Sequence, residues 1–270
     1  MTLLWIPLLS LIGSVISSCT SKLTRNQSTA LTMLAPLIAL GIVFSYTPAV
    51  FSGETIRYTA EWIPLLNMQV SFRLDGLTLL FLYMILGIGT LVIFYARYYL
   101  SSSDSMPKLY CYLMLFMTAM VGIVMSNNVI QLWFFWELTS ISSFLLISYW
   151  WHKSEARKGA RMALAITGAG GLALLAGLLL IGDIVGSYNL DVILASKALI
   201  QSHDLYEVGL VLIFLVAFTK SAQFPFHFWL PHAMAAPTPV SSYLHSATMV
   251  KAGIFLLARF YPSLSGTDTW

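Results

Sequence analysis

Long apolar runs separated by short polar turns dominate the chain, at residues 2–20, 30–50, 76–99, 109–126, 128–149, 160–183, 206–223 and 238–261. A helix needs about 20 mainly apolar residues to cross the hydrocarbon of a bilayer, so each run predicts one crossing. "SSSDSMPK" and "WWHKSEARKG" read as tight polar turns, and 51–75 and 184–205 as longer loops of mixed charge. The pattern predicts an all-α integral membrane protein of about eight transmembrane helices. The seventh is expected to be broken. Pro225 in "SAQFPFH" removes a backbone donor and disfavours helical geometry at Phe224, so the helix should end or kink just after Lys220. "PFHFWLPHAMAAP" is then too short to span and predicts a re-entrant or interfacial turn.

Composition agrees with this reading. Over 270 residues the hydrophobic fraction is 58% and the charged fraction 9%, against about 25% charged in a soluble domain. The basic residues are dispersed, which excludes a nucleic-acid surface. Their placement instead sets topology. Turns after the odd-numbered spans carry Lys22, Arg25, Arg97, Lys108, Lys153, Arg157, Lys158 and Arg161; the other side has only Arg57, Arg73, Lys197 and Arg259. This asymmetry predicts a multi-pass protein of the cell membrane with an extracytoplasmic N-terminus. The stretch "ISSC" ending at Cys19 lacks the basic flank of a signal peptide, so residues 2–19 are read as a spanning helix. Cys19 and Cys111 have neither disulfide nor metal spacing and read as packing residues.

Three charges remain inside the runs: Glu137, Lys220 and Lys251. A charge at the centre of a lipid-facing helix costs about 2.5–3.5 kcal/mol, so these should face one another or water. Glu137 lies roughly 14 Å from one end of its span at 1.5 Å per residue, and the depths of the two lysines overlap it. Ser140 shares its helix face. Burial favours a neutral amine and a nearby carboxylate favours a charged one. At roughly 4 Å and an effective dielectric near 20 the attraction is about 4 kcal/mol, enough for a small movement to transfer a proton. The alternative is a static ion pair that fixes packing. One acid against two bases argues for the switch. In the last run His245, Thr248 and Lys251 are spaced i, i+3, i+6 and predict a polar strip suited to proton passage.

Weaker signals carry less. Asp75 before "GLTLL" reads as a helix N-cap. His227 and His232 are five apart, not the i, i+4 of a helical metal pair, so no metal site is expected. "GAGGLALLAG" reads as small-residue helix packing; it follows no strand, and no cofactor is expected.

"FFWELTSISSFLLI" around Glu137, "FTKSAQFPFHFWLPHAM" around Lys220 and "APTPVSSYLHSATMVKAGIFLLARF" around His245 and Lys251 closely resemble the antiporter-like family shared by respiratory complex I membrane subunits and Mrp-type multisubunit Na+/H+ antiporters. The likeness covers about residues 65–262, and the lysine of "MVKAG" makes it most similar to the A-type subunit of the Mrp group. The resemblance implies a bundle with two inverted five-helix repeats, each holding a broken helix. Residues 1–107 would be the three leading helices and 108–270 the first repeat, the second being expected in a longer polypeptide or a separate chain. It further implies Glu137 as the charge-switching carboxylate, Lys220 as the lysine on the broken helix, and His245 and Lys251 as the continuing proton path. The expected function is proton conduction in exchange for Na+, with other antiporter subunits and the lipid bilayer as partners. The rival expectations are a proton-pumping subunit of a complex I-like NADH:quinone oxidoreductase or membrane-bound hydrogenase, and a plain membrane anchor.

Overall fold

The computed structural model describes residues 2–63 and 68–270. After a short 3-10 turn the chain forms α1 (Trp5–Ser18) and α2 (Arg25–Phe51). A hairpin of β1 (Ile56–Ile63) and β2 (Met68–Leu74) follows. The third apolar run is one continuous rod built from α3 (Gly76–Leu82), a π-helical segment at Tyr83–Ile88 and α4 (Gly89–Tyr99). Then come α5 (Met106–Met125), α6 (Val129–Ile147) and α7 (Ser154–Val185). Two short helices, α8 (Leu190–Ala195) and α9 (Lys197–Gln201), lead to α10 (Tyr206–Lys220). The remainder is α11 (Trp229–Ala233), α12 (Thr238–Ser241) running into a second π segment at Ser242–Thr248, and α13 (Lys251–Leu264).

Among the described residues, five helices are long and apolar enough to cross a membrane: Arg25–Phe51, Gly76–Tyr99, Met106–Met125, Val129–Ile147 and Ser154–Val185. Thr2–Ser18 is apolar but shorter. The run at 206–223 forms one helix of 15 residues that ends at Lys220, and that at 238–261 is divided into shorter helical pieces. Large apolar side chains point outward around the bundle, with Phe44 70%, Leu91 67% and Leu172 66% exposed, as befits a surface whose solvent is lipid. The interior is centred on α5, which packs against α1 and α6 and is buried along most of its length. Beyond it α6 packs on α7, α7 on α10, and α10 on α13.

The stretch 51–75, expected as a loop, contains the antiparallel hairpin, an exception to the all-α expectation. Its β2 edge is closed by the rest of the protein. Ser71 N–H donates to Gln131 Oε1 at 2.9 Å, and Gln131 Nε2 returns a bond to the Ser71 carbonyl at 3.1 Å. Asn127 N–H donates to the same carbonyl at 2.9 Å. Charges lock this end. Asp75 caps α3 through Thr78 N–H at 2.9 Å, as read from the sequence. It also pairs with Arg73 at 2.9 Å and with Arg259 of α13. Arg73 and Arg57 reach Asp191 at the start of α8, each at 2.7 Å. The alternating series Arg57, Asp191, Arg73, Asp75, Arg259 thus ties the hairpin, α3, α8 and α13 together.

Burial pushes the Asp75 carboxyl up, but the hydrogen bond and charge of Arg259, the Thr78 N–H and the charge of Arg73 outweigh it and hold the group well below the ordinary carboxylate range. Asp191 is likewise lowered: burial opposes, and Arg57, Asn127 and Arg73 prevail. Depressed carboxyls stabilise fully above the unfolded pKa of about 4, and that contribution disappears as pH falls through their lower folded values. Acid should therefore loosen the hairpin end first, with amide exchange rising in 56–63 and 68–74 below about pH 4 while α5 stays protected; equal protection of both in acid would contradict the assignment. In detergent at neutral pH, Asp75→Ala should cost about 3–5 kcal/mol by stranding the buried Arg259. Arg57→Ala, at a side chain 51% exposed, should cost less than about 1 kcal/mol; the two melting temperatures provide the check.

Candidate functional site

Lys220 is the last residue of α10 and is 0% exposed. Its ammonium donates to Thr139 Oγ1 at 2.7 Å and Ser140 Oγ at 3.1 Å, both on α6, and lies 5.2 Å from the centroid of the Trp136 ring. Thr139 is oriented to accept, because its own hydroxyl hydrogen goes to the Trp136 carbonyl at 2.6 Å. Two hydroxyl oxygens and an indole face therefore replace water around the cation.

Glu137 stands on the same helix, three residues before Ser140. Its Oε1 is buried with no hydrogen-bond partner. It seats on α7 at Gly171, where an added β-carbon would collide with the carboxyl group, and Thr219 seats in the same way at Gly170. The Trp133 indole, the nearby donor on α6, is taken by the Gly171 carbonyl at 3.0 Å. The "GAGG" stretch is thus helix packing, as its small residues suggest, and specifically the seat of the acidic side chain. No ion pair closes between Glu137 and Lys220 within 4.0 Å.

The end of α10 is stabilised from several directions. Ser221 N–H closes on the Ala217 carbonyl at 2.9 Å, and Gln223 N–H on that of Phe218 at 2.9 Å across Ala222, which adopts a positive φ of 51°. The Thr219 carbonyl is capped by the Trp229 indole at 3.0 Å. Ser221 Oγ donates to the Val250 carbonyl at 2.7 Å, at the turn between the π segment and α13. Gly253 permits this contact, since a β-carbon there would strike Ser221 Oγ and the Ala217 carbonyl. The two interrupted runs are therefore joined at their interruptions.

His245 lies in the second π segment, buried, with neither ring nitrogen in an acceptable hydrogen bond; the backbone of Ala233 is beside it. Its ring is 5.8 Å from that of Trp229, the indole that caps Thr219 next to Lys220. Thr248 donates its hydroxyl hydrogen to the Tyr243 carbonyl at 2.7 Å, within the same π segment. Lys251 opens α13 half-buried, one residue after the carbonyl held by Ser221. Lys220 reaches α6 from the end of α10, Glu137 seats on α7 from the same stretch of α6, and His245 and Lys251 adjoin the end of α10 through Trp229 and Ser221. Thr139, Trp136 and Trp229 were not singled out by the sequence; the "WELTS" order, polar groups one turn from a buried acid, is the signal that carries the first.

Known proteins share both sequence and fold with this chain. A family model described as "NADH:quinone oxidoreductase/Mrp antiporter, TM" matches residues 126–270, and one described as "NADH-Ubiquinone oxidoreductase (complex I), chain 5 N-terminus" matches residues 62–110. An A/B-type subunit of a probable K(+)/H(+) antiporter from Rhizobium meliloti is 55% identical over 91% of this chain and 25% of its own length. The A-type subunit of an Na(+)/H(+) antiporter from Alkalihalophilus pseudofirmus is 46% identical over 88% of this chain and 30% of its own length. A chain in the structure of the Mrp complex from Dietzia sp. DQ12-45-1b superimposes with a TM-score of 0.88 at 35% identity, covering 100% of this chain and 29% of that one. The archaeal membrane-bound sulfane sulfur reductase shares the fold, with a TM-score of 0.82 at 18% identity. The chain spans about a quarter to a third of the length of the relatives it matches. It is a multi-pass membrane protein, and by the match over more than half its length it belongs to the NADH:quinone oxidoreductase/Mrp antiporter transmembrane family.

Proposed function

We propose that this chain is the proton-handling N-terminal portion of an A-type component of a cation/proton antiporter, working within a multisubunit complex. The observation that carries the reading is a fully buried lysine held by hydroxyl groups and an aromatic face, with a half-buried Glu137 nearby whose inner oxygen, Oε1, has no hydrogen-bond partner. A proton entering on Glu137 weakens its hold on the Lys220 charge, and an ionised Glu137 strengthens it, so one group's protonation biases the other's. His245 and Lys251 continue the path. The named relatives, one for K(+) and one for Na(+), support a monovalent cation as the exchanged ion, and Na+ is the first to test. The reading includes eight crossings. The interrupted runs at 206–223 and 238–261 would be the seventh and eighth, the seventh a broken helix, and 108–270 the first of two repeats after three leading helices. The N-terminus lies outside the cytoplasm, which the excess of Lys and Arg in the turns at the other end of the bundle supports.

The decisive measurement is cation-driven proton flux in everted vesicles from cells producing the whole complex. Lys220→Met and Glu137→Gln should each reduce flux by at least about tenfold, the scale of lost proton-transfer groups, with the complex still fully assembled. Wild-type flux in either would leave the buried charges as packing only. The seat of Glu137 provides a second test. Gly171→Ala should displace the carboxyl group and depress flux in the same vesicles, whereas Gly168→Ala, three residues away in open space, should not. Equal effects of the two would dissociate the α7 glycines from the site.

A further inference from the structure

At the end of the bundle opposite the hairpin, the start of α5, the end of α6 and the start of α7 border a half-open cavity of about 320 Å³, within the roughly 300–1,000 Å³ range of small-molecule pockets. Three cations line it: Lys108, Arg157 and Arg161. Residues 157 and 161 are i, i+4 and share one face of α7. All four ion pairs among the described residues are at the hairpin end, so none of these cations has a carboxylate partner among the described residues. Arg157 is oriented by the carbonyls of Trp151 and His152, at 2.7 and 3.4 Å from Nη1. Neither Lys108 nor Arg161 donates a side-chain hydrogen bond to any described residue.

The other lining changes character with depth. Ser148 and Trp151 are nearer the helix ends; Tyr112, one turn after Lys108 and with that ammonium 5.8 Å from its ring centroid, and Phe144, one turn before Ser148, line the deeper part. Arg161 is at that deeper level, seven residues into α7 and so about 10 Å from the helix start. α7 has 32 residues, about 48 Å, which exceeds a hydrocarbon core of about 30 Å. Centred on such a core, the helix would extend about 9 Å beyond each face, which would put Arg161 near the boundary of phosphates and acyl chains.

We infer that this cavity binds the phosphodiester headgroup of an anionic phospholipid, with Lys108, Arg157 and Arg161 on the phosphate and an acyl chain along Tyr112 and Phe144. Guanidinium groups match phosphate oxygens in a bidentate fork, and basic pockets between transmembrane helices select anionic headgroups. A soluble anion would satisfy the cations but leave Tyr112 and Phe144 uncovered.

The test uses the assembled complex, delipidated in detergent and titrated with dioleoyl-phosphatidylglycerol, with dioleoyl-phosphatidylcholine or with inorganic phosphate, bound lipid being counted by native mass spectrometry. Arg157→Gln with Arg161→Gln should weaken phosphatidylglycerol binding about 25-fold, taking roughly 1 kcal/mol per basic residue at 1.4 kcal/mol per decade. Lys22→Gln with Lys158→Gln, an equal loss of charge outside the cavity, should change it less than about twofold. Arg157→Lys with Arg161→Lys, which keeps the charge, should restore most of the affinity and guards against misfolding as the cause. Equal weakening by both Gln pairs, equal retention of phosphatidylcholine, displacement of the lipid by inorganic phosphate, or density for another protein of the complex filling the cavity would each overturn the assignment.

Discussion

A cation enclosed by an apolar bundle must find its solvation among the protein's own atoms, and Lys220 is the point at which this constraint is felt most strongly. Its ammonium takes two hydroxyl oxygens and a ring face from one turn of α6. That turn fixes how α6 meets α10. The same turn directs Glu137 toward α7, where only glycine at 171 leaves room for it. Two ionisable side chains thus tie three helices, Lys220 joining α10 to α6 and Glu137 joining α6 to α7. The ending of α10 beside the lysine has the same origin: carbonyls released by the interruption are met by Trp229 and Ser221 side chains and by short turns instead of water.

The two ends of the bundle handle charge in opposite ways. At the hairpin end three arginines and two aspartates alternate, every one with a partner, and the arrangement binds elements as far apart in sequence as residues 57 and 259. At the other end Lys108, Arg157 and Arg161 line a groove with no acidic partner among the described residues. Closed ion pairs suit an end that has to stay rigid above the membrane-spanning rods, while unpaired cations suit an end whose counter-charges come from the surrounding membrane.

The rods themselves were legible in the sequence, because runs of apolar residues long enough to span are rare in any other context. Asp75 as a cap was legible too, being a local matter of one side chain and an N–H three residues on. The hairpin was written less loudly. "MQVSFRL" alternates strictly between apolar and polar, and "IRYTAEWI" nearly so, which is the period of a strand; set between long apolar runs and dotted with charges, it reads as a loop. The ion series and the seating of Glu137 on Gly171 depend on residues brought together from distant parts of the chain, and no local spacing encodes them. His245 was identified as a residue type in a suspicious place. Its neighbourhood was not, since the Trp229 ring beside it comes from α11.

The contrast between closed and open charges also bears on what Glu137 and Lys220 are for. Where this protein uses an ion pair to hold elements together, as with Asp75 and Arg259, the carboxylate is saturated by two guanidinium groups and a backbone N–H. Nothing of the kind surrounds Glu137: the Trp133 indole bonds to a backbone carbonyl, the hydroxyls of Thr139 and Ser140 serve the lysine, and Oε1 has no donor. A group built only to fix packing would be expected to carry its full set of bonds, because a half-satisfied buried charge destabilises more than an apolar residue in its place. Retaining one at the α6–α7 seat, near a lysine that also lacks a carboxylate partner, supports the proposed reading in which the protonation of these groups changes. Their mutual influence is strongest where water is scarce, so the apolar packing that makes the site costly to build is also what makes it responsive.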